Sequence, residues 1–92
     1  MAVEVRIPTI LRTFTGGEKA VQGAGATLAQ VIDDVDSRHP GLKSRLVESE
    51  NLRRFVNVYV NDEDVRFSGG LEAPTADGDV VVVLPAVAGG AA

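Results

Sequence analysis

The residues best suited to chemistry in this sequence are two adjacent glycines near its carboxyl end, Gly89-Gly90. Because glycine has no Cβ, such a pair can pass through a narrow channel and adopt backbone angles closed to other residues. Glycine also has no stereocentre, so activation of its carboxyl group cannot cause epimerisation. The pair therefore suits a reaction in which the Gly90 carboxyl group is activated inside the active site of a second protein.

The segment that carries the glycines is predicted to be an extended arm. It consists of the small, uncharged residues Pro85, Ala86, Val87 and Ala88, then Gly89-Gly90, and the sequence continues with Ala91-Ala92. Proline cannot donate to a sheet, so the preceding strand is expected to stop at Leu84. Fully extended, residues 84–90 would span roughly 20 Å. An ordinary frayed terminus has a similar composition, so the arm alone defines no function.

Other candidate sites are better explained as structural features. His39 precedes a Pro-Gly pair at a predicted helix end, where a cation suits the helix dipole. Asp62-Glu63-Asp64 lacks the spacing of a calcium loop and is interpreted as a turn. Gly16-Gly17 and Gly69-Gly70 lack the Lys-Ser/Thr of a phosphate-binding loop. No nucleophile–base pair is indicated, so we expect a protein that is not an enzyme.

Composition excludes several classes of protein. The chain has 92 residues, which suits one domain, and it contains no cysteine for a disulfide or zinc–thiolate site. Its net charge of −4 argues against nucleic-acid binding, because that needs a concentrated basic surface. The sequence shows neither a signal-peptide pattern nor an apolar run of about 18 residues, so we expect no membrane span and a cytoplasmic location.

Alternating apolar residues predict several strands. The predicted strands are residues 3–7, 18–22, 55–60, 65–67 and 80–84, with turns at 13–17, 61–64, 68–71 and 76–79 and a polar loop at 48–52. The last of these strands is an unbroken apolar run, which is typical of a central strand buried on both faces. It is expected to lie beside the first strand and parallel to it.

One main helix is predicted to begin at Thr27. Thr27 and Gln30 have the spacing of a capping box. An apolar stripe that is expected to face the core follows at helical spacing: Leu28, Val31, Ile32 and Val35. A short helical turn is expected at 42–47. One helix and four or five strands fit an α+β domain over residues 1–84, with a mixed sheet crossed by the helix on one face, followed by a tail over residues 85–92. This is the β-grasp arrangement of ubiquitin.

Three stretches of the sequence resemble the MoaD/ThiS family of ubiquitin-like sulfur carriers. They are residues 7–12 (IPTILR), residues 54–71 (RFVNVYVNDEDVRFSGGL) and residues 77–90, which include Leu84-Pro85 and Gly89-Gly90. Within the family, the sequence is most similar to the carriers of thiocarboxylate-dependent cysteine biosynthesis. The stretches cover most of the chain, and the long middle one is the most specific.

The resemblance implies a mechanism for Gly90. An E1-like enzyme with Mg-ATP would adenylate the Gly90 carboxylate, and a sulfur donor would displace AMP to leave a thiocarboxylate. The sulfur would then add to an aminoacrylate in a pyridoxal-phosphate cysteine synthase, and a zinc metalloprotease would release cysteine after an acyl shift. Pro85 to Gly89 would line the partner's channel. The carrier itself would bind no cofactor, since ATP, zinc and pyridoxal phosphate belong to its partners.

The sequence departs from the family pattern after Gly90. Such carriers act with the glycine pair at the very end, whereas here Ala91-Ala92 follows. Our hypothesis is that a metalloprotease removes this dipeptide before activation. Three other functions remain open: a sulfur carrier for thiosugars or other specialised metabolites, a protein modifier that Gly90 joins to lysines, and an interaction domain with an inert tail.

Overall fold

The backbone forms a five-stranded sheet, a small separate hairpin and two α-helices. The computed structural model describes residues 2–54 and 56–85. The main sheet contains β1 (Val3–Arg6), β2 (Ala20–Gly23), β5 (Val56–Val60), β6 (Glu63–Asp64) and β7 (Val80–Pro85), while β3 (Val47–Glu48) pairs with β4 (Asn51–Leu52). The helices are α1 (Leu28–Arg38) and α2 (Leu42–Leu46), with 3₁₀ helices at Thr9–Thr15, Val65–Phe67 and Gly70–Glu72. Phe55, predicted to begin a strand, lies outside the described residues.

The strand order of the main sheet is β2-β1-β7-β5-β6. β1 and β7 are parallel, with Val5 opposite Val81, and the other pairs are antiparallel. The predictions of a mixed sheet and of a last strand beside the first are therefore confirmed. A parallel pair needs a crossover connection, and α1 lies within that connection. The architecture is the β-grasp that the sequence predicts.

The core lies between α1 and one face of the sheet. Leu28, Val31 and Val35 of α1 are almost fully buried, as are Val58 of β5 and Val81 of β7. The apolar stripe predicted for the helix is thus the face that packs on the sheet. Each buried side chain of this size contributes roughly 1.5–3 kcal/mol to stability.

The predicted cap of α1 is present, with one difference. The hydroxyl oxygen of Thr27 accepts a hydrogen bond from the Gln30 backbone N–H at 3.3 Å. The Gln30 side chain reaches back to the N–H of Ala26 at 2.8 Å, one residue before the cap. The first bond satisfies one of the amide groups that a helix start leaves without partners, and the second holds the residue before the cap. The helix therefore begins where the sequence predicts.

The prediction that β7 is buried on both faces is wrong. Val81 and Val83 are buried, but Val82 is only half-buried and Leu84 is 47% exposed. The strand is central in the sheet, yet α1 covers only one face. Its apolar residues at 82 and 84 therefore point to the open face, where they are free to contact another molecule.

Three local predictions are also corrected. Residues 48–52 include the β3–β4 hairpin rather than a plain loop, and its turn residues Ser49 and Glu50 have φ of 52° and 66°. Residues 13–17 were expected to form only a turn, but the 3₁₀ helix Thr9–Thr15 covers most of them. The return strand after β5 is β6, which lies inside the predicted turn at 61–64. The turn is shorter than predicted because two residues, Asn61 and Asp62, reverse the chain with φ of 49° and 72°.

The predicted return strand at 65–67 is instead a 3₁₀ helix. The Asp64 side chain accepts a hydrogen bond from the Arg66 backbone N–H at 2.9 Å, which caps this turn of helix. Val65 is fully buried, so the apolar residue that suggested a strand serves to anchor the helix to the core. The antiparallel course of β6 directs the following residues back toward the start of β5.

A pair of polar side chains fixes the start of β7. Asn61 donates from Nδ2 to Asp79 Oδ1 at 2.9 Å, and its Oδ1 accepts from the Val80 N–H at 3.0 Å. The other oxygen of Asp79 accepts from the Ala76 N–H at 2.8 Å. Both bonds lower the pKa of Asp79, because they favour the charged carboxylate. The bond from Asn61 has the larger effect, and the bond from Ala76 has the next largest. These hydrogen bonds fix the register of β7 at its first residue, Val80.

Candidate functional site

The structure describes the base of the predicted arm. β7 includes Pro85, one residue beyond the predicted end at Leu84, and Pro85 lies opposite Val56 of β5. The arm itself, with Ala86, Val87, Ala88, Gly89, Gly90, Ala91 and Ala92, lies outside the described residues. The roles predicted for Pro85 to Gly89 and for Gly90 therefore stay predictions, and the site is characterised by what surrounds its base.

Pro85 fits the end of β7 without the loss of a bond to β5. The N–H of Asn61 donates to the Val80 carbonyl oxygen at 2.8 Å, which marks these two residues as a hydrogen-bonded pair. Hydrogen-bonded and non-hydrogen-bonded pairs alternate along an antiparallel ladder. Val56 and Pro85 come five positions later, so they form a non-hydrogen-bonded pair. The missing N–H of Pro85 therefore faces away from β5.

Large exposed apolar side chains lie at the end of the sheet where β7 finishes. Among the described residues they are Ile10, Leu84 and Phe67, with exposed fractions of 66%, 47% and 85%. Ile10 and Leu84 line one groove, because β1 runs parallel to β7 and Ile10 follows it at the same end. Phe67 is placed near this end by its neighbour Arg66, which bonds to the start of β5. We call Ile10, Leu84 and Phe67 the exit surface. No pattern in the sequence marks these three residues as a group.

A groove runs along one side of this exit. It has a volume of about 680 Å³ and lies between β1, the first 3₁₀ helix and the end of β7. Ile10, Leu84 and Pro85 contribute apolar surface to it, while Arg12 and Lys19 contribute charge. The groove leads to the last described residue of the chain, so a molecule bound in it would lie next to the start of the arm.

The Arg66 side chain binds the start of β5, which is paired with the end of β7. Its Nη2 donates to the Val56 carbonyl oxygen at 2.7 Å, and its Nη1 donates to Asn57 Oδ1 at 2.6 Å. Val56 and Asn57 lie opposite Pro85 and Leu84 in the ladder. Arg66 therefore holds the part of β5 against which the base of the arm is paired. No feature of the local sequence distinguishes this arginine from a solvated one.

Replacement of Arg66 by methionine is expected to loosen the end of β7. The guanidinium bonds are lost while much of the aliphatic stem is kept, and since Arg66 is exposed we expect a loss of about 1 kcal/mol in stability. Hydrogen exchange measured by NMR should be about 5-fold faster at the Asn57 and Leu84 amides. Arg66→Lys, which keeps the charge, is the matched control. Unchanged exchange in the methionine variant would contradict this role.

The described residues give no sign of a membrane span or a metal centre. No helix among them is long and apolar enough to cross a membrane. Within residues 2–54 and 56–85, no three or more His, Cys, Asp or Glu side chains are grouped so that they could hold a metal ion.

The sheet, its crossing helix and the strand that leads toward Gly89-Gly90 define a ubiquitin-like β-grasp protein. Within that class, the chain belongs to the ThiS family, which it matches over residues 5–90. The matched region ends on Gly90 and leaves Ala91-Ala92 outside it.

Individual relatives cover nearly the whole chain. The sulfur carrier protein CysO of Mycobacterium tuberculosis is 57% identical, over 98% of this chain and 100% of its own length. A chain in the crystal structure of the Amycolatopsis orientalis BexX/CysO complex is 70% identical with a TM-score of 0.93, covering 97% of this chain and 100% of that one. Small archaeal modifier protein 3 of Haloferax volcanii is 37% identical, over 98% of this chain and 100% of its own.

Proposed function

We propose that this protein is a sulfur carrier whose Gly90, once converted to a thiocarboxylate, delivers sulfur for cysteine biosynthesis. The observation that carries the proposal is the full-length identity of 57% to a protein named as a sulfur carrier. The family match that ends on Gly90 supports this residue as the reacting one. The carrier performs no catalysis of its own in this mechanism.

The loading reaction requires a free carboxylate at Gly90. This carboxylate attacks the α-phosphate of ATP in an E1-like enzyme, which forms an acyl adenylate and releases pyrophosphate. A sulfur donor then attacks the acyl carbon, the bond to AMP breaks, and a thiocarboxylate remains. Adenylation is needed because it converts the carboxylate oxygen, a poor leaving group, into part of AMP, a good one.

Delivery follows in further partner proteins. The thiocarboxylate sulfur adds to an acceptor in a pyridoxal-phosphate synthase, the acyl group shifts from sulfur to nitrogen, and a zinc metalloprotease hydrolyses the new amide bond. Hydrolysis releases cysteine and restores the Gly90 carboxylate. We also propose that a metalloprotease removes Ala91-Ala92 before the first loading. ATP, zinc and pyridoxal phosphate are supplied by these partners, and none is bound by the carrier.

The fold contributes a firm base and a docking surface. Arg66 and the start of β7 hold the strand that precedes the arm, and Ile10, Leu84 and Phe67 present apolar area around its exit. Large contiguous patches of exposed apolar surface mark sites that bind other proteins, and Ile10 and Leu84, which line the same groove, begin such a patch. A similar carrier has been crystallised in a complex with BexX, which supports the presence of partner proteins here.

Two other functions have some support. The identity of 37% to a small archaeal modifier protein favours conjugation of Gly90 to lysine residues as an alternative. Delivery of sulfur to thiosugars or other specialised metabolites is a second alternative, since the same thiocarboxylate chemistry would serve. Neighbouring genes would indicate the sulfur acceptor, and ladders of isopeptide conjugates would reveal a modifier.

Intact mass spectrometry of the protein from its native cell tests the proposal. We expect a form that ends at Gly90 with one carboxyl oxygen replaced by sulfur, and its amount should rise when cysteine is withheld. Alkylation of the thiocarboxylate before analysis distinguishes it from other modifications. If only chains without sulfur are found while the pathway is active, the proposed function is wrong.

A further inference from the structure

We propose that the groove beside the arm binds an acidic segment of the adenylating enzyme, with Arg12 and Lys19 as the contacts that select it. This inference rests on the proposed function, because it assigns a chemical character to the partner of the same site. The partner segment would present apolar side chains flanked by Asp or Glu. Two features of the groove point to such a segment: cations that have no acidic partner in the described part of the chain, and an apolar lining.

The groove carries uncompensated positive charge. Arg6 and Glu4, which both line it, neutralise each other through an ion pair of 2.8 Å. Arg12 uses its Nε to donate to the Ile7 carbonyl oxygen at 3.1 Å, and no acidic group pairs with its guanidinium among the described residues. The Lys19 side chain likewise has no ion-pair partner in the described part of the chain, and the neighbouring Glu18 does not line the groove.

This local charge is opposite in sign to that of the whole molecule. The chain has a net charge of −4, whereas Arg12 and Lys19, which have no acidic partner within residues 2–54 and 56–85, lie beside the end of β7. An acidic partner surface would repel most of the carrier and attract only this end. Charge distributions of this kind orient a protein during its approach. The encounter would therefore bring the end of β7 toward the enzyme first.

The apolar lining makes a protein segment the best-matched occupant. Ile10 and Leu84, 66% and 47% exposed, offer surface that an apolar side chain can cover. Two cations are far fewer than the phosphate contacts that hold a nucleic acid. Complementary charges at the rim of a protein interface mainly change the association rate, its salt dependence and the choice of partner. Arg12 and Lys19 are thus placed to determine specificity.

Binding measured without ATP tests the inference. The probe is the E1-like enzyme encoded in the same genome, titrated with a carrier that ends at Gly90. Lys19→Glu should raise the Kd about 5-fold, because it removes an attraction and adds a repulsion that are each modest at an exposed site. Combined with Arg12→Gln, the increase should be larger. Added NaCl should weaken binding of the wild-type carrier and affect the double variant much less.

Lys43→Glu is the matched control, since it makes the same charge change in an ion pair with Asp33 between α2 and α1, outside the groove. Its Kd should change less than about 2-fold. An equal change in Lys19→Glu and Lys43→Glu, no change in either, or no binding of the folded wild-type carrier would each overturn the inference. The docking site and the proposed function are tested separately. Weaker binding of the groove variants supports the docking site, whereas the mass of the chain from its native cell tests whether Gly90 carries sulfur.

Discussion

A chain that ends at Gly90 is expected to be adenylated and sulfurated, whereas a chain that continues with Ala91-Ala92 is expected to show neither product. In the longer chain the Gly90 carboxyl group is part of a peptide bond to Ala91, so there is no carboxylate to attack ATP. The expected difference is all or none. It can be measured by ATP–pyrophosphate exchange with the E1-like enzyme and by intact mass of the product.

A chain that ends at Ala88 provides the control for this experiment. It has a free terminal carboxylate but lacks both glycines, so it tests whether any carboxylate on the arm suffices. We expect it to be inactive, because the arm is shorter and its end has a side chain where the channel is expected to require glycine. Adenylation of the full chain without loss of the dipeptide would contradict the role of Gly90.

The same experiment addresses the processing hypothesis. Incubation of the longer chain with the zinc metalloprotease of the pathway should release Ala91-Ala92 and restore exchange activity. Intact mass before and after incubation would show whether cleavage occurs after Gly90 or elsewhere. Retention of the dipeptide in a cell that uses the carrier would exclude the precursor hypothesis. The loading chemistry of Gly90 would still be tested by the chain that ends at Gly90.

Leu28→Ala is expected to cost about 3 kcal/mol of stability, the largest effect that we predict for a single substitution in the domain. Leu28 is completely buried, and the space beside it is lined by core residues of the sheet and both helices. Truncation removes apolar contacts and leaves a cavity. The free energy of unfolding of a small domain is only about 5–15 kcal/mol, so a considerable part of the stability would be lost. Urea unfolding followed by circular dichroism measures the change.

Leu84→Ala makes the identical chemical change at an exposed position. Leu84 lies on the exit surface, so its truncation should lower stability by less than about 0.5 kcal/mol. The same variant should bind the E1-like enzyme less tightly, because apolar area next to the arm is lost. Equal destabilisation by the two substitutions would show that α1 does not pack as described.

Local patterns were sufficient to predict the elements with the strongest periodicity. The stripe from Leu28 to Val35 and the Thr27 cap predicted α1, and the alternation of Val56 and Val58 predicted β5. Where local signals compete, the predictions were wrong. Val65 resembles a strand residue in sequence, but the Asp64 cap and the burial of Val65 place it in a 3₁₀ helix. The apolar run of β7 could not reveal that one face of the sheet is open.

The sequence by itself predicted the β-grasp domain, from alternating and helical patterns, and the chemistry proposed for Gly90, from the resemblance of Gly89-Gly90 and the preceding stretches to the MoaD/ThiS sulfur carriers. Only the tertiary structure decided what surrounds the end of β7, the last part of the chain that the structure describes. Ile10, Phe67 and Leu84 are far apart along the chain, and Arg66 is one arginine among several. They lie at the same end of the sheet because β1 pairs in parallel with β7 and β5 begins at that end. Such long-range pairing leaves no mark in the periodicity of any single segment.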